Sequence, residues 1–325
     1  LTGESILRSG YTILTHKSIF NTNLKVFPGA VIITETSTFV HSMSREMMVM
    51  IKVGLIGYGS MGSMLVGSLI RSGRISPEEM IVSTATKSKL PEIKRLWGDI
   101  HVAGDNGEVA RRAKYIFNCV KPLQVKDVLL EIRPYITPDT NIISIAGSVP
   151  MKFIEQATGA KVTKLTPSLT SEVMEGISLV CHSSAVTEEE RRYIDTLLGG
   201  ISTVKHVREE DLELSAELTS CMPGFIAAIF RNLVDSAMRQ ESGLGRKEAE
   251  EMVMRTLYGT AKLFIEKNMG FDRMIERVAT KGGITEEGVN VFDEMLPEVF
   301  DEMFRRTLAK RKVVREKVES GLENV

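Results

Sequence analysis

Residues 51–62 read Ile-Lys-Val-Gly-Leu-Ile-Gly-Tyr-Gly-Ser-Met-Gly. A short apolar run rich in β-branched residues breaks into Gly57-x-Gly59-x-x-Gly62, and apolar residues recur after it at Met61, Leu65, Leu69 and Ile70. That is the pattern of a strand, a tight turn and a helix. Each glycine has a task in such a turn. Gly57 permits the bend, Gly59 lets the backbone approach a pyrophosphate, and Gly62 lets helix and strand pack closely. The helix start then offers free N–H groups and a positive dipole end to phosphates. The dinucleotide-contacting set expected here is Gly57, Tyr58, Gly59, Ser60, Met61 and Gly62.

Working outward, Ser72-Gly73 is a helix stop, Ser76-Pro77-Glu78-Glu79 a capped turn, and Met80-Ile81-Val82 a second strand. In NAD-preferring folds an acid closes this strand and binds the ribose 2′-hydroxyl. Here the chain continues Ser83-Thr84-Ala85-Thr86-Lys87, with no carboxylate before Glu92. The hydroxyls of Ser83 and Thr84 and the ammonium of Lys87 suit a 2′-phosphate, so NADP(H) is the expected cofactor, with NAD(H) as the alternative. The plainer reading leaves these as ordinary loop residues.

Strand and helix patterns then alternate. Strands are expected at 100–102, 115–120, 141–146, 161–165, 177–181 and 203–207, and helices at 108–114, 125–132, 151–157 and 188–198. Such alternation gives an α/β fold with a largely parallel, doubly wound, Rossmann-like sheet. Ligands of such sheets sit beyond the carboxyl ends of the strands. The glycine turn, residues 83–87, Val120-Lys121-Pro122 and Ala146-Gly147 should therefore face one crevice. From about residue 209 the alternation stops and helical spacing takes over, at Leu212, Ala216, Ile226, Ile229, Leu233 and again from Ala249 to Ile265. A third helix begins near Ile284, and a charged one over residues 305–319 reads as a solvated face. A small all-helical half covers its apolar stripes poorly by itself, which predicts self-association through it.

The expected organisation is an extension over 1–49, a dinucleotide-binding domain over 50–208 and a helical substrate and dimerisation domain over 209–325. The first 49 residues lack the basic and apolar regions of a signal peptide. Met47, Met48 and Met50 stand immediately before the first strand, so the natural start is expected at one of them. The 325 residues carry a formal net charge of -1, from 41 basic and 42 acidic side chains, with no positive excess directed at nucleic acid or a membrane surface. Cys119, Cys181 and Cys221 lack metal-type spacing and read as free thiols of a reducing, cytoplasmic compartment. No uninterrupted apolar run approaches the roughly 18 residues of a membrane helix. The five histidines are scattered, so neither a metal site nor a catalytic histidine is expected.

At this point the ordered landmarks resemble the pyrroline-5-carboxylate reductase family. The glycine turn, Asp105-Asn106, Val120-Lys121-Pro122 and Ser144-Ile145-Ala146-Gly147 match its cofactor-side motifs in order, over roughly residues 50–307. The resemblance implies that Asn106 contacts the adenosine part, that Val120, Lys121 and Pro122 lie beside the nicotinamide ribose, and that Ala146 and Gly147, at a matched strand end, also belong to the cofactor-binding set. The substrate half matches less fully. The family's Met-Pro-Asn-Thr-Pro stands here as Thr166-Pro167-Ser168-Leu169-Thr170, its Ser-Gly-Ser-Gly-Pro-Ala as Thr219-Ser220-Cys221-Met222-Pro223-Gly224, and its Ser-Pro-Gly-Gly-Thr-Thr as Thr280-Lys281-Gly282-Gly283-Ile284-Thr285. These segments look closer to the divergent branch found with late-competence genes in Gram-positive bacteria.

The family reaction is hydride transfer from NADPH to the C=N carbon of 1-pyrroline-5-carboxylate, giving L-proline. By resemblance, Gly283, Thr285 and Pro223 form the substrate-binding set, and Ser220 is the candidate donor toward the imine nitrogen. The plainer reading of Gly283 and Thr285 is a helix cap. Lys121 is expected to contact the cofactor through its backbone rather than to move a proton. Two other readings remain: a reductase of another small cyclic imine or oxo-acid, and an NADP-binding regulatory homologue without turnover.

Overall fold

A computed structural model describes residues 51–322 and, in the leading segment, the two-residue strands Leu7–Arg8 and Tyr11–Thr12, which pair antiparallel. The chain divides into Leu1–Val49 and Met50–Val325. The expected start at Met47, Met48 or Met50 falls outside the described residues.

The larger unit opens with β1 (Val53–Ile56), α1 (Ser60–Arg71), β2 (Met80–Ser83), α2 (Leu90–Trp97), β3 (His101–Val102), α3 (Asn106–Arg112) and β4 (Tyr115–Asn118). It continues through α4 (Val125–Ile132), β5 (Asn141–Ser144), α5 (Met151–Thr158), β6 (Lys161–Pro167), β7 (Gly176–His182), α6 (Glu188–Leu198) and β8 (Ser202–His206). These strands form one sheet in the order β8-β7-β6-β5-β4-β1-β2-β3. Every pairing is parallel except β6 with β7. Only a short 3-10 turn, Leu169–Val173, joins that pair. So short a link cannot carry a crossover, and the strand must return antiparallel.

Two apolar layers cover the sheet. One gathers Leu55, Leu65, Leu69 and Phe117, the other Ile56, Ile116, Leu129 and Val162. Helix α4 shows how the pattern works: Val125, Val128, Leu129 and Ile132 are its buried residues, at the i, i+3, i+4, i+7 spacing of one helix face. Full burial of each such side chain stabilises the fold by about 1.5–3 kcal/mol. Helix α2 had no such signal. Ile93 is its only buried residue, so the periodicity is too thin to read.

The helical half contains α7 (Leu212–Glu217), α8 (Met222–Ala237), α9 (Arg246–Glu266), α10 (Phe271–Val278) and α11 (Ile284–Leu322). The helical run expected from residue 212 divides before α8, where Pro223 sits in the first turn, the place a helix tolerates a missing N–H. Two expectations need correction. The third helix and the charged terminal helix are one continuous helix of 39 residues that carries Pro297 inside it. Its last turns are exposed over most of their surface, as expected of a charge run, but one stripe is packed and paired. Val318, 4% exposed, joins the apolar layer of α3 and α4, Lys126 donates to the Gly321 carbonyl at 2.6 Å, and Arg315 pairs with Glu213 at 2.5 Å. The chain also holds one described stretch, Glu209–Ala237, that meets the length and mean hydropathy (1.2) of a membrane span. Reading uninterrupted apolar runs alone missed it, because charged and polar residues are interspersed. Along α8, α9 and α11, large apolar side chains such as Ile229, Leu233, Tyr258, Phe292 and Met295 are exposed.

Candidate active site

The glycine turn sits at the middle of the sheet, between the ends of β2 and β4. Gly57 N–H donates to the Ser83 carbonyl at 3.0 Å and Cys119 N–H to the Ile56 carbonyl at 2.8 Å. Gly57 has φ +98°, and a Cβ there would lie 3.0 Å from the Cys119 carbonyl carbon and 3.0 Å from Val120 Cγ1. The Val120 side chain is thus packed against the turn. At Gly62 a Cβ would lie 2.1 Å from the Gly57 carbonyl oxygen, so only glycine lets α1 start this close to β1. At Gly59 a Cβ would meet nothing within 4 Å. That open space faces the start of α1, which has no side-chain cap and no acid in its first turn. The contrast with α3, capped by Asp105, and α6, capped by Thr187 with three glutamates in its first turn, is chemical. The start of α1 keeps its N–H donors free for an anion, which fits a dinucleotide pyrophosphate. Ser60 is exposed there, Met61 is half-buried, and Tyr58 is buried with its hydroxyl accepting from Trp97 Nε1 at 3.2 Å.

On the β2 side, Ser83 donates to Asn106 Oδ1 at 2.6 Å, and Asn106 Nδ2 donates to Glu131 at 2.6 Å. Ser83 and Asn106, distant in sequence, meet at one point. Thr84 is buried and accepts from the Thr86 N–H at 3.2 Å. Lys87 is exposed and donates to the Gly104 carbonyl at 2.8 Å. Lys89, which sequence reasoning passed over, donates to the Tyr58 carbonyl at 2.9 Å and brings a cation onto the glycine turn itself. On the other side, Lys121 is exposed and Pro122 opens a 3-10 turn after β4. Asn118 is fully buried at the end of β4, and its Nδ2 has no partner among the described residues.

The end of β5 carries Ala146 and Gly147, and here the structure shows a group that no motif announced. Lys164, on β6 and 2% exposed, donates to the carbonyls of Ala146 at 2.9 Å, Gly147 at 2.8 Å and Val149 at 2.5 Å. Burial pushes its ammonium down to about 8, against the favourable fields of Glu209 and Glu213. One cation therefore shapes the loop at the end of β5. It lies within the strand expected at 161–165, and a lysine there carries no motif that would mark it.

The helical half reaches this crevice through Arg311 of α11. Its guanidinium pairs with buried Glu217 at 2.5 Å, donates to Cys221 Sγ at 3.3 Å, and lies 3.8 Å from a Cβ built on Gly147. Segment 220–223 is thereby brought to the end of β5. Ser220 is half-buried and donates to the Ala216 carbonyl at 3.2 Å, Pro223 is half-buried, and the Cys221 thiol is pushed up by burial and by Glu217. A thiol so raised is a poor nucleophile. Gly283 and Thr285 stand elsewhere, at the start of α11. Thr285 is exposed, the Gly283 N–H donates to the Thr280 carbonyl at 2.8 Å, and the Glu286 carboxylate accepts from the Gly282 N–H at 2.6 Å. Among the described residues these two make no hydrogen bond to the dinucleotide-binding half.

Comparison with known proteins agrees with this division of labour. Residues 209–314 match the family model described as pyrroline-5-carboxylate reductase dimerisation, and residues 52–148 match that described as NADP oxidoreductase, coenzyme F420-dependent. Pyrroline-5-carboxylate reductase 3 of Bacillus subtilis is 42% identical over 269 residues, covering 82% of this chain and 98% of that protein. ComE operon protein 4 of the same organism is 29% identical over 259 residues, covering 80% of this chain and 94% of its own. The structure of Plasmodium falciparum pyrroline carboxylate reductase, solved with NADP bound, superposes with a TM-score of 0.69 at 21% identity, over 84% of this chain and 98% of that one. An identity of 42% that runs along almost the whole length of a relative, with a dimerisation model matched over the helical half, decides the matter: the chain belongs to the pyrroline-5-carboxylate reductase family.

Proposed function

We propose that this protein reduces the C=N bond of 1-pyrroline-5-carboxylate to L-proline with NADPH. The observation that carries this reading is the 42% identity to a pyrroline-5-carboxylate reductase across 98% of that protein. NADPH supplies the hydride; the chain binds, orients and excludes water. The start of α1 takes the pyrophosphate on its free N–H groups. Lys87 and Lys89 provide ammonium donors for a 2′-phosphate, Ser83 holds Asn106 in place beside them, and the end of β2 carries no acid to repel one. Asn106 holds the adenosine side. Val120, Lys121, Pro122 and the Lys164-bound loop through Ala146 and Gly147 form the nicotinamide side.

An iminium substrate arrives already protonated, so the site needs no strong acid, and Ser220 serves as a hydrogen-bond donor only. For the substrate carboxylate, the Thr285 hydroxyl is the donor, with Gly283 opening the helix start beside it and Pro223 shaping the wall. Thr285 is exposed on helices whose apolar faces are also exposed, so the substrate site closes when two chains associate. Three thiols without disulfide partners among the described residues suit the cytoplasm.

The test is NADPH oxidation by the full chain with pyrroline-5-carboxylate, proline being measured as product. Turnover with NADPH and not with the oxo-acid analogues supports the reading. Tight NADPH binding without proline formation would overturn it and leave the regulatory alternative.

A further inference from the structure

Far from the crevice, three side chains converge at the opposite edge of the sheet. His182 ends β7, His206 ends β8, and Asp195 lies on α6 above them; their ligand atoms all fall within 4.8 Å of one another. Strand β7 runs antiparallel to β6, with His182 in register with Thr163, so the cluster sits at the amino end of β6, across the sheet from the glycine turn. His206 Nε2 and Asp195 Oδ2 are 3.0 Å apart.

We propose that His182, Asp195 and His206 form a binding site for a borderline-soft divalent cation such as Zn²⁺. Hydrogen bonding among the three leaves two atoms unexplained. His182 Nε2 and Asp195 Oδ1 are buried and have no partner among the described residues. A shared cation accounts for both at once. The second shell fits as well. His182 Nδ1 lies 2.9 Å from Thr163 Oγ1. With Nδ1–H donating to that hydroxyl, the buried Nε2 keeps its lone pair for a cation, which is how metal-bound imidazoles are generally held. Burial, with the nearby charges of His206 and Arg191, pushes the His182 imidazole down to about 4 and keeps it neutral.

Two imidazoles and one carboxylate are a frequent Zn²⁺ donor set, with a fourth position left for water. Tetrahedral Zn²⁺ at about 2.0–2.1 Å from each ligand places the donors about 3.3 Å apart, so the His206–Asp195 pair, at 3.0 Å, opens slightly and the wider separations, within 4.8 Å, close on binding. The protein anchors it well. Helix α6 is fixed by its Thr187–Glu190 capping box and by Glu190, 2% exposed, pairing with Lys161 at 2.9 Å. The cation would clasp the edge strand β8 to β7 and α6. Arg191 opposes it with one positive charge, which weakens the site without removing a ligand.

The experiment titrates the full, metal-stripped chain with Zn²⁺ by calorimetry and with Co²⁺ by visible absorption, and follows Tm. One Zn²⁺ per chain is expected, with the intense visible bands of tetrahedral Co²⁺ and a Tm that rises with Zn²⁺ concentration. His206→Ala, at a half-exposed position that keeps the fold, and His182→Ala should each weaken binding at least tenfold, and Cys181→Ser should not. Absence of stoichiometric binding, or binding unchanged in both histidine variants, overturns the proposal. A lower Tm for His206→Ala that is the same with and without Zn²⁺ overturns it too, since a hydrogen bond then suffices.

Discussion

Gly59 and Gly62 belong to one motif, but the structure gives them separable tasks. A Cβ on Gly62 would meet the Gly57 carbonyl at 2.1 Å, whereas one on Gly59 would meet nothing. Gly62→Ala is therefore expected to lower Tm by several degrees and to abolish NADPH binding together. Gly59→Ala should leave Tm within about a degree, because no protein atom is displaced, and raise the NADPH Kd at least tenfold by blocking phosphate approach. Thermal denaturation and fluorescence titration of the two variants check this; equal Tm losses would show that Gly59 serves only the fold. Lys164 makes a second residue-scale prediction. As pH rises through about 8, its ammonium loses the proton shared with three carbonyls. kcat/KM should then fall above pH 8, and Lys164→Arg, which stays charged, should move that limb upward. Stability changes in the opposite direction. The folded value lies below the ordinary 10.5, so the unfolded chain binds the proton more tightly and this group's contribution to stability rises between about pH 8 and 10.5. The glycine motif was legible because its constraints are backbone constraints written in residue type. Lys164 and Lys89 were not, because their partners are carbonyls that no residue type reveals.

At the scale of elements, the strands were legible wherever an apolar run sat between turn residues. Strand β1 and helix α4 are cases in which periodicity and burial coincide. What the chain hid was direction and continuity. β7 looked like one more parallel strand, and only the brevity of the 168–175 link makes it return. A helix near Ile284 and a charged one over 305–319 looked separate, yet α11 runs through both and through Pro297, held at its far end by Val318, Arg315 and Arg311. Those residues sit in a charge run, where sequence cannot separate solvent-facing from paired groups. The pairing has a measurable consequence. Glu217 is 1% exposed, and Arg311 is the cation that faces it. Removing one partner leaves a buried charge uncompensated, at a cost of about 3–5 kcal/mol when the pair is fully buried. Arg311 keeps 22% of its side chain in water, which places Arg311→Met at the lower end, about 3 kcal/mol. The double variant Glu217→Gln/Arg311→Met should recover most of that loss. If the double variant is as unstable as the single one, α11 is held by apolar contact alone. Either variant should also raise the substrate KM, since the same guanidinium ties segment 220–223 to the end of β5.

For the whole molecule, the two halves bury their residues differently. The sheet with its two apolar layers is complete, with Leu55, Phe117, Ile116 and Leu129 fully covered. The helical half is not: Val234 and Ala249 are the buried residues of α8 and α9, whereas Ile229, Leu233, Tyr258, Phe292 and Met295 are exposed. An open apolar surface this extensive is costly in water, and long-lived homodimers cover about 2,000 Å² or more of such surface. The match of residues 209–314 to a dimerisation model names the covering partner as a second copy. Association is therefore expected to be a condition of folding for α8–α11, and of catalysis if the proposed carboxylate contact at Thr285, itself exposed at the start of α11, is completed by the second copy. Phe292→Asp should shift the sedimenting species from twice the chain mass toward the single chain, since one carboxylate per copy would be desolvated opposite apolar groups. NADPH binding, which depends on the completed sheet, should survive within about threefold, while pyrroline-5-carboxylate turnover falls at least a hundredfold. A variant that sediments as a single chain and retains turnover would show that one chain holds the entire substrate site, and would move the carboxylate contact away from Thr285 to the crevice beside Arg311.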